Sequence, residues 1–400
     1  MNEPHHMKPA ADVLPEPDEA AKVWSQALCM QIEEQCNRNK GVIPFSEFMQ
    51  MALYAPGFGY YSGGLQKFGA EGDFITAPEV SPMFSQCLAI QAADVLAAMV
   101  QPTVLEFGAG SGVMAADILL ELEQLECLPE QYLILELSAD LKQRQKNTIK
   151  DKAAHLLDRV VWVDALPTEK FNGVVLANEV LDAMPIEGFR ISGDEVLSLY
   201  VRCRNSELDS EYKPATEAVT HSVRTIEERI ENRLPDGYCS EFNPAISGWL
   251  ESISSVLEKG IVLLIDYGYA AAEYYHEERK MGTMMCHYQH RAHDNPLWYP
   301  GLQDITAFVD FTDVAYSAVD AGFDVSGYTS QAMFLMSSGL EELHQRQLTD
   351  EVKNQVMLSQ QIKTLTMPSE MGERFKVMAL TKNYDEPLRG FIMQDLRGRL

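Results

Sequence analysis

The chain has 400 residues, of which 46% are hydrophobic, and its 59 acidic side chains outnumber 32 basic ones to give a net charge of −27. This length and hydrophobic fraction predict a large core, in one domain with big insertions or in two domains. A surface this negative repels phosphate backbones, which argues against nucleic-acid binding, and it attracts basic protein substrates. Solubility alone is an equally weighted explanation of the acidity.

The start of the chain and its cysteines bear on location. Residues 1–20 lack the apolar stretch of a signal peptide and the Arg-rich character of a transit peptide. We therefore expect a bacterial cytoplasmic protein with a flexible tail over residues 1–23. No apolar run reaches membrane-spanning length, which predicts no membrane partner. The seven cysteines never form a Cys-x-x-Cys pair, a pattern typical of reduced thiols rather than of disulfides or a zinc site.

Residues 24–100 are predicted to be a mostly helical N-terminal region, with a last helix that begins at Ser81 and Pro82 and ends near Val100. From residue 103 onward, apolar runs alternate with helical segments, which is the pattern of an α/β sheet. The runs are almost continuously apolar, as expected of strands that are covered on both faces. Seven strands are predicted, at 103–107, 132–135, 159–163, 173–177, 261–265, 323–328 and 375–380.

The regular alternation breaks after the fourth predicted strand. Residues 189–192 and 196–202 predict a hairpin, and a helix is predicted from Asn243 to about Lys259. Residues 267–311, which carry Gly, Pro, His, Tyr and Trp, are predicted to form a long ordered loop. We expect a Rossmann-like domain over residues 101–400, with substrate-binding insertions at about 186–260, 267–311 and 331–365.

A glycine-rich segment follows the first strand. Glu106 ends the strand, and Gly108, Gly110 and Gly112 let the backbone turn sharply and approach a ligand closely. The dinucleotide fingerprint G-x-G-x-x-G would need a glycine where Val113 stands, so an NAD site is disfavoured. The spacing instead resembles the E-x-G-x-G-x-G loop of class I S-adenosylmethionine (SAM) methyltransferases. Such turns also serve as plain connections, so the identification depends on downstream residues.

Polar side chains stand at the carboxyl ends of several strands, where open α/β sheets bind ligands. Glu136 on strand two is placed to accept both ribose hydroxyl protons of a cofactor, and Asp164 after strand three is placed to take the adenine amino group. Glu106 would face the amino-acid end or fix the glycine loop. The alternatives are a helix cap for Glu136 and a solvated turn residue for Asp164. These strand ends are Glu106, Glu136, Asp164, Asn178, Glu179 and Asp266.

The segment after strand four is predicted to carry the chemistry. Methyl transfer is an in-line displacement that depends on positioning and electrostatics. Carboxylates would hold an amine or guanidinium acceptor and direct its lone pair at the methyl group. Glu179 and Asp182, with Asn178 beside them, are the candidates, and their spacing predicts one helical turn between the two acids. The alternatives are that Asp182 caps a short helix and that Glu179 is merely exposed.

Nine segments of the chain resemble one family, the MidA-like methyltransferases. Its mitochondrial members are arginine methyltransferases that act on a subunit of respiratory complex I and support its assembly. The resemblance covers residues 44–380, and its most specific segments are 72–81 and 178–185. The matching segments are 44–49, 54–61, 72–81, 106–112, 136–138, 178–185, 265–268, 300–306 and 371–372.

The resemblance implies a loop over the cofactor within residues 72–81, with Asp73 and Thr76 as polar contacts. From the residues alone, a rigid lead-in to the next helix is the preferred interpretation of this loop. One departure concerns Phe308, which stands where the family pattern carries a histidine before Val-Asp-Phe. The lost histidine puts any role it has in substrate binding or proton transfer in doubt here.

Three histidines lie in the same predicted loop, at positions 287, 290 and 293. They could contribute to the substrate site, and their spacing also suggests a metal. Because no carboxylates stand at ligand spacing, we expect no metal site.

The sequence therefore predicts a class I SAM-dependent methyltransferase that acts on arginine in a basic segment of a protein substrate. The family resemblance implies a respiratory-complex subunit as one such substrate. A small-molecule or amine methyltransferase is an alternative on the same fold. A third hypothesis is an assembly factor that binds SAM with little catalysis. A homodimer is an open expectation, because the Met- and aromatic-rich segment 281–288 could be core or interface.

Overall fold

A computed structural model describes residues 14–62 and 76–400 of the chain. The predicted tail extends too far, because helix α1 begins within it at Glu19, capped by the side chain of Asp18. The α-helices are α1 (Glu19–Arg38), α2 (Phe45–Tyr54), α3 (Ala77–Val80), α4 (Pro82–Leu96), α5 (Val113–Gln124), α6 (Ala139–Ala153), α7 (Glu217–Arg229), α8 (Ile246–Val256), α9 (Ala271–Tyr274), α10 (Phe311–Asp320), α11 (Gln331–Ser337), α12 (Leu340–Gln347) and α13 (Val352–Thr366).

The strands form a central sheet and two smaller sheets. They are β1 (Ile43–Pro44), β2 (Thr103–Phe107), β3 (Gln131–Leu135), β4 (Val160–Val163), β5 (Phe171–Asn178), β6 (Glu187–Ser192), β7 (Glu195–Arg204), β8 (Glu207–Pro214), β9 (Cys239–Phe242), β10 (Leu257–Tyr269), β11 (Met285–Tyr288), β12 (Arg291–His293), β13 (Asp304–Thr306), β14 (Val309–Asp310), β15 (Asp324–Ser330) and β16 (Phe375–Lys382).

The central sheet has the strand order β15-β16-β10-β5-β2-β3-β4, with β14 also pairing with β10. Strands β4, β3, β2, β5 and β10 run parallel, whereas β16 pairs antiparallel with both β10 and β15. The predicted seven-stranded α/β sheet is confirmed. The chain order reverses between β2 and β5, and the carboxyl ends of strands at such a switch point form a crevice for ligands.

Successive residues of the central strands enter two different cores. On β2, Val104 belongs to a core with helices α4 and α5, and Leu105 belongs to a core with helices α8 and α10. Strand β5 repeats the alternation with Leu176 and Val175. The apolar runs of the sequence therefore reflect burial on both faces, as predicted.

The insertion after β5 folds onto the N-terminal helices. Strands β6 and β7 form the predicted hairpin, and the small sheet has the order β1-β7-β6-β9, with β8 also pairing with β7. Helices α1 and α2 pack on this sheet through Leu28, Phe48 and Val201, among other side chains. A core of their own therefore joins the N-terminal helices to the insertion that follows β5.

Two predictions in the insertions are wrong. Helix α8 ends at Val256, and Lys259 and Gly260 lie in β10, where an added Cβ on Gly260 would lie 1.8 Å from the Gly173 carbonyl oxygen. The glycine therefore permits close strand contact rather than ending a helix. The predicted loop 267–311 contains α9, a three-stranded sheet of order β12-β11-β13, and β14. The helix that was predicted to end near Val100 stops at Leu96.

The seven cysteines, all within the described ranges, are free thiols. Across residues 14–62 and 76–400, no helix combines the length and the apolar character needed to cross a membrane. The same residues contain no group of three or more His, Cys, Asp or Glu side chains arranged for a metal ion.

Candidate active site

A cavity of about 420 Å³ opens at the carboxyl ends of β2, β3 and β5. It combines strand-end residues of the sheet with residues of the N-terminal region, so that chain segments far apart in sequence share one wall. The predicted site residues that line it are Thr76, Glu106, Gly108, Gly110, Glu136, Asn178, Glu179 and Asp182.

The glycine loop bends through left-handed backbone conformations. The φ angles are +59° at Gly108, +52° at Gly110 and +84° at Gly112. Residues that carry a Cβ adopt such left-handed angles only at a cost in free energy. Gly112 lies behind the cavity as the N-terminal flanking residue of α5, and an added Cβ there would lie 2.8 Å from the Cα of Gln145. Gly110 has open space around it. The loop therefore presents bare backbone to the cavity.

Glu106 lies beneath the loop and is fully buried. The Tyr132 hydroxyl donates to one of its carboxylate oxygens at 2.6 Å, and the other oxygen has no protein partner. Burial, opposed by the tyrosine hydrogen bond, raises the pKa of Glu106 to about 7. The side chain therefore has one remaining acceptor next to the loop.

Glu136, after the neighbouring strand β3, also lines the cavity, with both of its oxygens hydrogen-bonded. The Ser138 backbone N–H donates to one oxygen at 2.9 Å, and the Gln145 amide donates to the other at 3.0 Å. Ser138, not Glu136, caps α6 by accepting from Leu141, so the helix-cap alternative for Glu136 is not needed. Next to Glu136, Leu137 is 71% exposed and forms an apolar part of the wall.

The predicted cofactor residue Asp164 does not join this group. The side chain of Asp164 is 80% exposed, forms an ion pair with Lys142 and lies outside the cavity wall. This position agrees with the alternative of a solvated turn residue. Asp73 lies outside the described residues. Thr76 lines the cavity as the residue before α3 and makes no capping hydrogen bond with its side chain.

The turn after β5 carries the predicted catalytic acids. Glu179 has a φ of +52°, and its N–H donates to the Ile265 carbonyl at 2.9 Å, so the chain leaves the strand in a bend. The expected helical turn between Glu179 and Asp182 is therefore absent, because the backbone at Glu179 is left-handed. Both acids nevertheless line the cavity.

Glu179 is held by its neighbours at the cavity wall. The Asn178 amide donates to it at 3.1 Å, and the backbone N–H of Ala77 also donates to it. Burial and the nearby Asp182 raise its pKa to about 8. The Glu179 carboxyl is therefore harder to ionise than that of an exposed glutamate.

Asp182 is supported from behind by strand β10. The Tyr267 hydroxyl donates to one carboxylate oxygen, and the other oxygen has no protein partner. Burial raises the pKa of Asp182 to about 6, two units below the value for Glu179. Asp266, fully buried, accepts from the backbone N–H groups of Leu181 and Asp182 at 3.0 and 3.3 Å. Asp266 thus fixes the turn rather than facing the ligand.

The N-terminal region supplies a wall that the sequence did not assign. The Tyr54 hydroxyl donates to the Ala183 carbonyl at 2.9 Å, and the Tyr61 hydroxyl donates to Asp304 at 2.9 Å. The two tyrosine rings stack with centroids 5.5 Å apart. The segment 54–61 was noted only for its resemblance. Its spaced aromatic residues were the available signal, but nothing in the sequence linked them to a strand end.

Phe308 does not line this cavity. Its ring lies 5.1 Å from that of Tyr267 and 5.5 Å from that of Tyr269, and it borders a second cavity of about 250 Å³. His293 is buried and stacks on Trp298 at 5.3 Å. Among the described residues that form the wall of the first cavity, there is no histidine, lysine or arginine.

Comparison with known proteins places these features in a wider group. Residues 87–329 match the family model described as "Putative S-adenosyl-L-methionine-dependent methyltransferase". A Burkholderia thailandensis protein, solved with S-adenosyl-homocysteine bound, superposes with a TM-score of 0.91 at 39% identity and covers 97% of this chain and 100% of its own.

Curated relatives are more distant. The mitochondrial protein arginine methyltransferase NDUFAF7 homolog of Drosophila melanogaster is 28% identical, over 92% of this chain and 87% of its own length. The Homo sapiens protein arginine methyltransferase NDUFAF7 is 27% identical, over 86% of this chain and 81% of its own length.

Proposed function

Because the chain belongs to this family of S-adenosyl-L-methionine-dependent methyltransferases, we propose that it methylates arginine side chains of a protein substrate. One observation carries the choice of acceptor. Two buried acids, Glu179 and Asp182, line the cavity close to each other, and no lysine or arginine is among the described residues of its wall. The names of the curated relatives, which are protein arginine methyltransferases, support the same choice.

The described residues fit the cofactor at the end of the cavity formed by the glycine loop and Glu136, which we name the cofactor end. Bare backbone at Gly108 and Gly110 leaves room for an amino-acid group, and Glu106 offers an unpartnered oxygen beside it. Glu136 would hold the ribose hydroxyls, and Leu137 offers an apolar surface for a base. SAM, when bound there, supplies an electrophilic methyl group.

The opposite end, formed by Glu179 and Asp182, is the proposed acceptor end. A guanidinium group presents N–H donors in a planar fork that pairs with carboxylates in bidentate geometry. Asp304 and Asp266 lie behind this wall without reaching the cavity surface, and their proximity raises the pKa of nearby groups. The stacked rings of Tyr54 and Tyr61 add a surface on which a planar cation packs favourably.

The hydrogen-bond partners of the two acids suggest their roles. A guanidinium nitrogen that gains a methyl group must lose a proton. Asp182 has one carboxylate oxygen without a protein partner, which is available to accept that proton. Glu179 titrates at about 8 in the free protein, and a bound cation would favour its ionised form. We therefore assign proton acceptance to Asp182 and acceptor orientation to Glu179.

The test measures transfer of labelled methyl from SAM to matched peptides that differ only by Arg, Lys or citrulline at one position. Label on the arginine peptides alone, found as methylarginine by mass spectrometry, is the expected result. Glu179→Gln should lower the rate by about a thousandfold, because the acceptor loses its orienting charge, while S-adenosyl-homocysteine affinity changes by less than about threefold.

Glu130→Gln is the matched control, since Glu130 is exposed and lies outside the cavity wall. It should leave both the rate and the affinity unchanged. Transfer of labelled methyl to lysine or to free amines, with no label on the arginine peptides, would overturn the choice of acceptor. Loss of S-adenosyl-homocysteine binding in Glu179→Gln would instead make Glu179 a cofactor or structural residue.

A further inference from the structure

Gln145 on α6 is a buried polar residue whose contacts extend beyond its hydrogen bond to Glu136. It is fully buried, lies outside the cavity wall and carried no signal in the sequence. Its amide contacts three separate chain segments around the cofactor end. A buried amide with this many partners restricts how those segments can move relative to one another.

The amide nitrogen donates to the Gly110 carbonyl at 3.2 Å and to the Glu136 carboxylate at 3.0 Å. The amide oxygen accepts from the indole N–H of Trp162 at 2.9 Å. Gly110 belongs to the glycine loop, Glu136 follows β3 and Trp162 lies on β4. The Gln145 side chain therefore connects the glycine loop and Glu136, which form the cofactor end, to strand β4.

The chemistry of the site requires an amide in one orientation. Gly110 O and the Glu136 carboxylate are both acceptors, so only a group with two N–H donors can join them. Trp162 has only a donor, so it selects the amide oxygen and turns the nitrogen towards the other two partners. Glutamate has the same size but would set a third acceptor against the two already there.

Close packing keeps Gln145 in place. The Cα of Gln145 lies 2.8 Å from where a Cβ on Gly112 would stand, so the α6 backbone lies directly against the glycine loop. The loop thus contacts Gln145 twice, through the Gly112 backbone and through the Gly110 carbonyl. A shift of α6 would move both the loop and Glu136.

We propose that Gln145 is a positioning residue that couples the glycine loop to Glu136 and so sets SAM affinity without touching the cofactor. The inference goes beyond the proposed arginine acceptor and does not depend on it, because cofactor binding can be measured alone. Trp162 acts in the same unit by orienting the amide. Both residues lie outside the cavity wall.

The test measures S-adenosyl-homocysteine affinity of the full chain by calorimetry. Gln145→Met removes the donors but keeps the volume, and it should weaken binding about tenfold. Gln145→Glu should weaken binding more, about thirtyfold, because it adds charge repulsion against Glu136. The KM for SAM should rise by similar factors with kcat nearly unchanged.

Gln143→Glu is the matched control, because Gln143 lies on the same helix, is exposed and bonds only Asn147 among the described residues. It adds the same charge and should change affinity by less than about twofold. Trp162→Phe alone should weaken binding about threefold, and it should add nothing to Gln145→Met, because the amide it orients is gone.

Affinity of Gln145→Met within about twofold of the unchanged protein would overturn the proposal. Equal losses in Gln145→Glu and Gln143→Glu would overturn it too, since net charge would then explain both. Additive losses for Gln145→Met and Trp162→Phe would reduce Gln145 to a packing residue. If Gln145→Glu fails to fold, as judged by thermal unfolding, Gln145→Met and the Trp162 pair still decide the question.

Discussion

Glu136 and Asp182, at the two ends of the cavity, differ in how their carboxylate oxygens are hydrogen-bonded. At the cofactor end, both oxygens of Glu136 accept hydrogen bonds from neutral donors, one of them the amide of Gln145. At the acceptor end, Asp182 keeps one oxygen without a protein partner, and Glu179 lies close enough for each to affect the other. Glu136 has both carboxylate oxygens hydrogen-bonded before any ligand arrives, whereas Asp182 retains one oxygen without a protein partner.

This difference separates two kinds of recognition. A neutral ribose needs acceptors held at fixed positions, and neutral donors can hold a carboxylate there without cancelling its charge. A cation is recognised by charge that the protein has left unmatched, at a cost in stability. Burial raises the pKa of Glu179 and of Asp182, as it raises that of Glu106 at the cofactor end, and each shift reflects the cost of holding a carboxylate away from water.

The largest expected effect tests the rigid end. Gly112→Val would meet the Gln145 backbone and force a left-handed φ on a branched residue, at a combined cost of about 3 kcal/mol. S-adenosyl-homocysteine affinity, measured by calorimetry, should fall about a hundredfold. Gly110→Ala is the control, because open space surrounds it and only the left-handed conformation is penalised, which predicts about a tenfold loss. Equal losses would mean that crowding against α6 does not matter.

An intermediate effect tests the charged end through pH. The pKa of Glu179 is raised from 4.5 to about 8, so the folded protein binds a proton more tightly than the unfolded chain. Its contribution to stability is therefore fully present below pH 4.5 and is lost progressively as pH rises to about 8. Thermal unfolding should occur at a temperature about 3 °C higher in Glu179→Gln than in the unchanged protein at alkaline pH, with little difference near pH 4.5. A difference independent of pH would contradict the unmatched-charge description.

The smallest expected effect concerns a residue that belongs to neither end. Asp164→Asn breaks an exposed ion pair with Lys142, and such pairs contribute about 0 to 1 kcal/mol. S-adenosyl-homocysteine affinity should therefore change by less than about twofold. A tenfold loss of affinity, measured by calorimetry, would instead support the sequence-based assignment of Asp164 to the adenine group. The bound cofactor would then extend beyond the residues that line the cavity.

The sheet was predictable because its signals are local. Apolar runs, a glycine loop after β2 and polar residues at strand ends all lie within short stretches of sequence. The strand-order rules of α/β folds then place these strand ends at one edge of the sheet, where ligands bind. Glu106, Glu136 and Glu179 reached the cavity for this reason. Gly260 was wrongly predicted to end a helix, because a glycine that ends a helix and a glycine that permits close strand contact can stand in the same local sequence.

The rest of the site depends on contacts between distant segments. Tyr61 meets Asp304 across 243 residues, and Gln145 meets Trp162 from a helix to a neighbouring strand. No period or spacing along the chain encodes such pairs. The helical turn expected at Glu179 failed for a different reason, since the left-handed bend there is imposed by the strand end and its bond to Ile265.

The pairing of β1 with β7 also constrains the order of assembly. Residues 43 and 44 find their partners at 201 and 200, and Tyr61 finds Asp304 later still. During synthesis, the N-terminal helices therefore emerge long before the surfaces that bury them, and they wait with apolar side chains exposed. The strands around the glycine loop complete their pairing earlier. The burial of the N-terminal helices therefore depends on later residues than the pairing of β2, whose two partner strands are both present once residue 178 has been made.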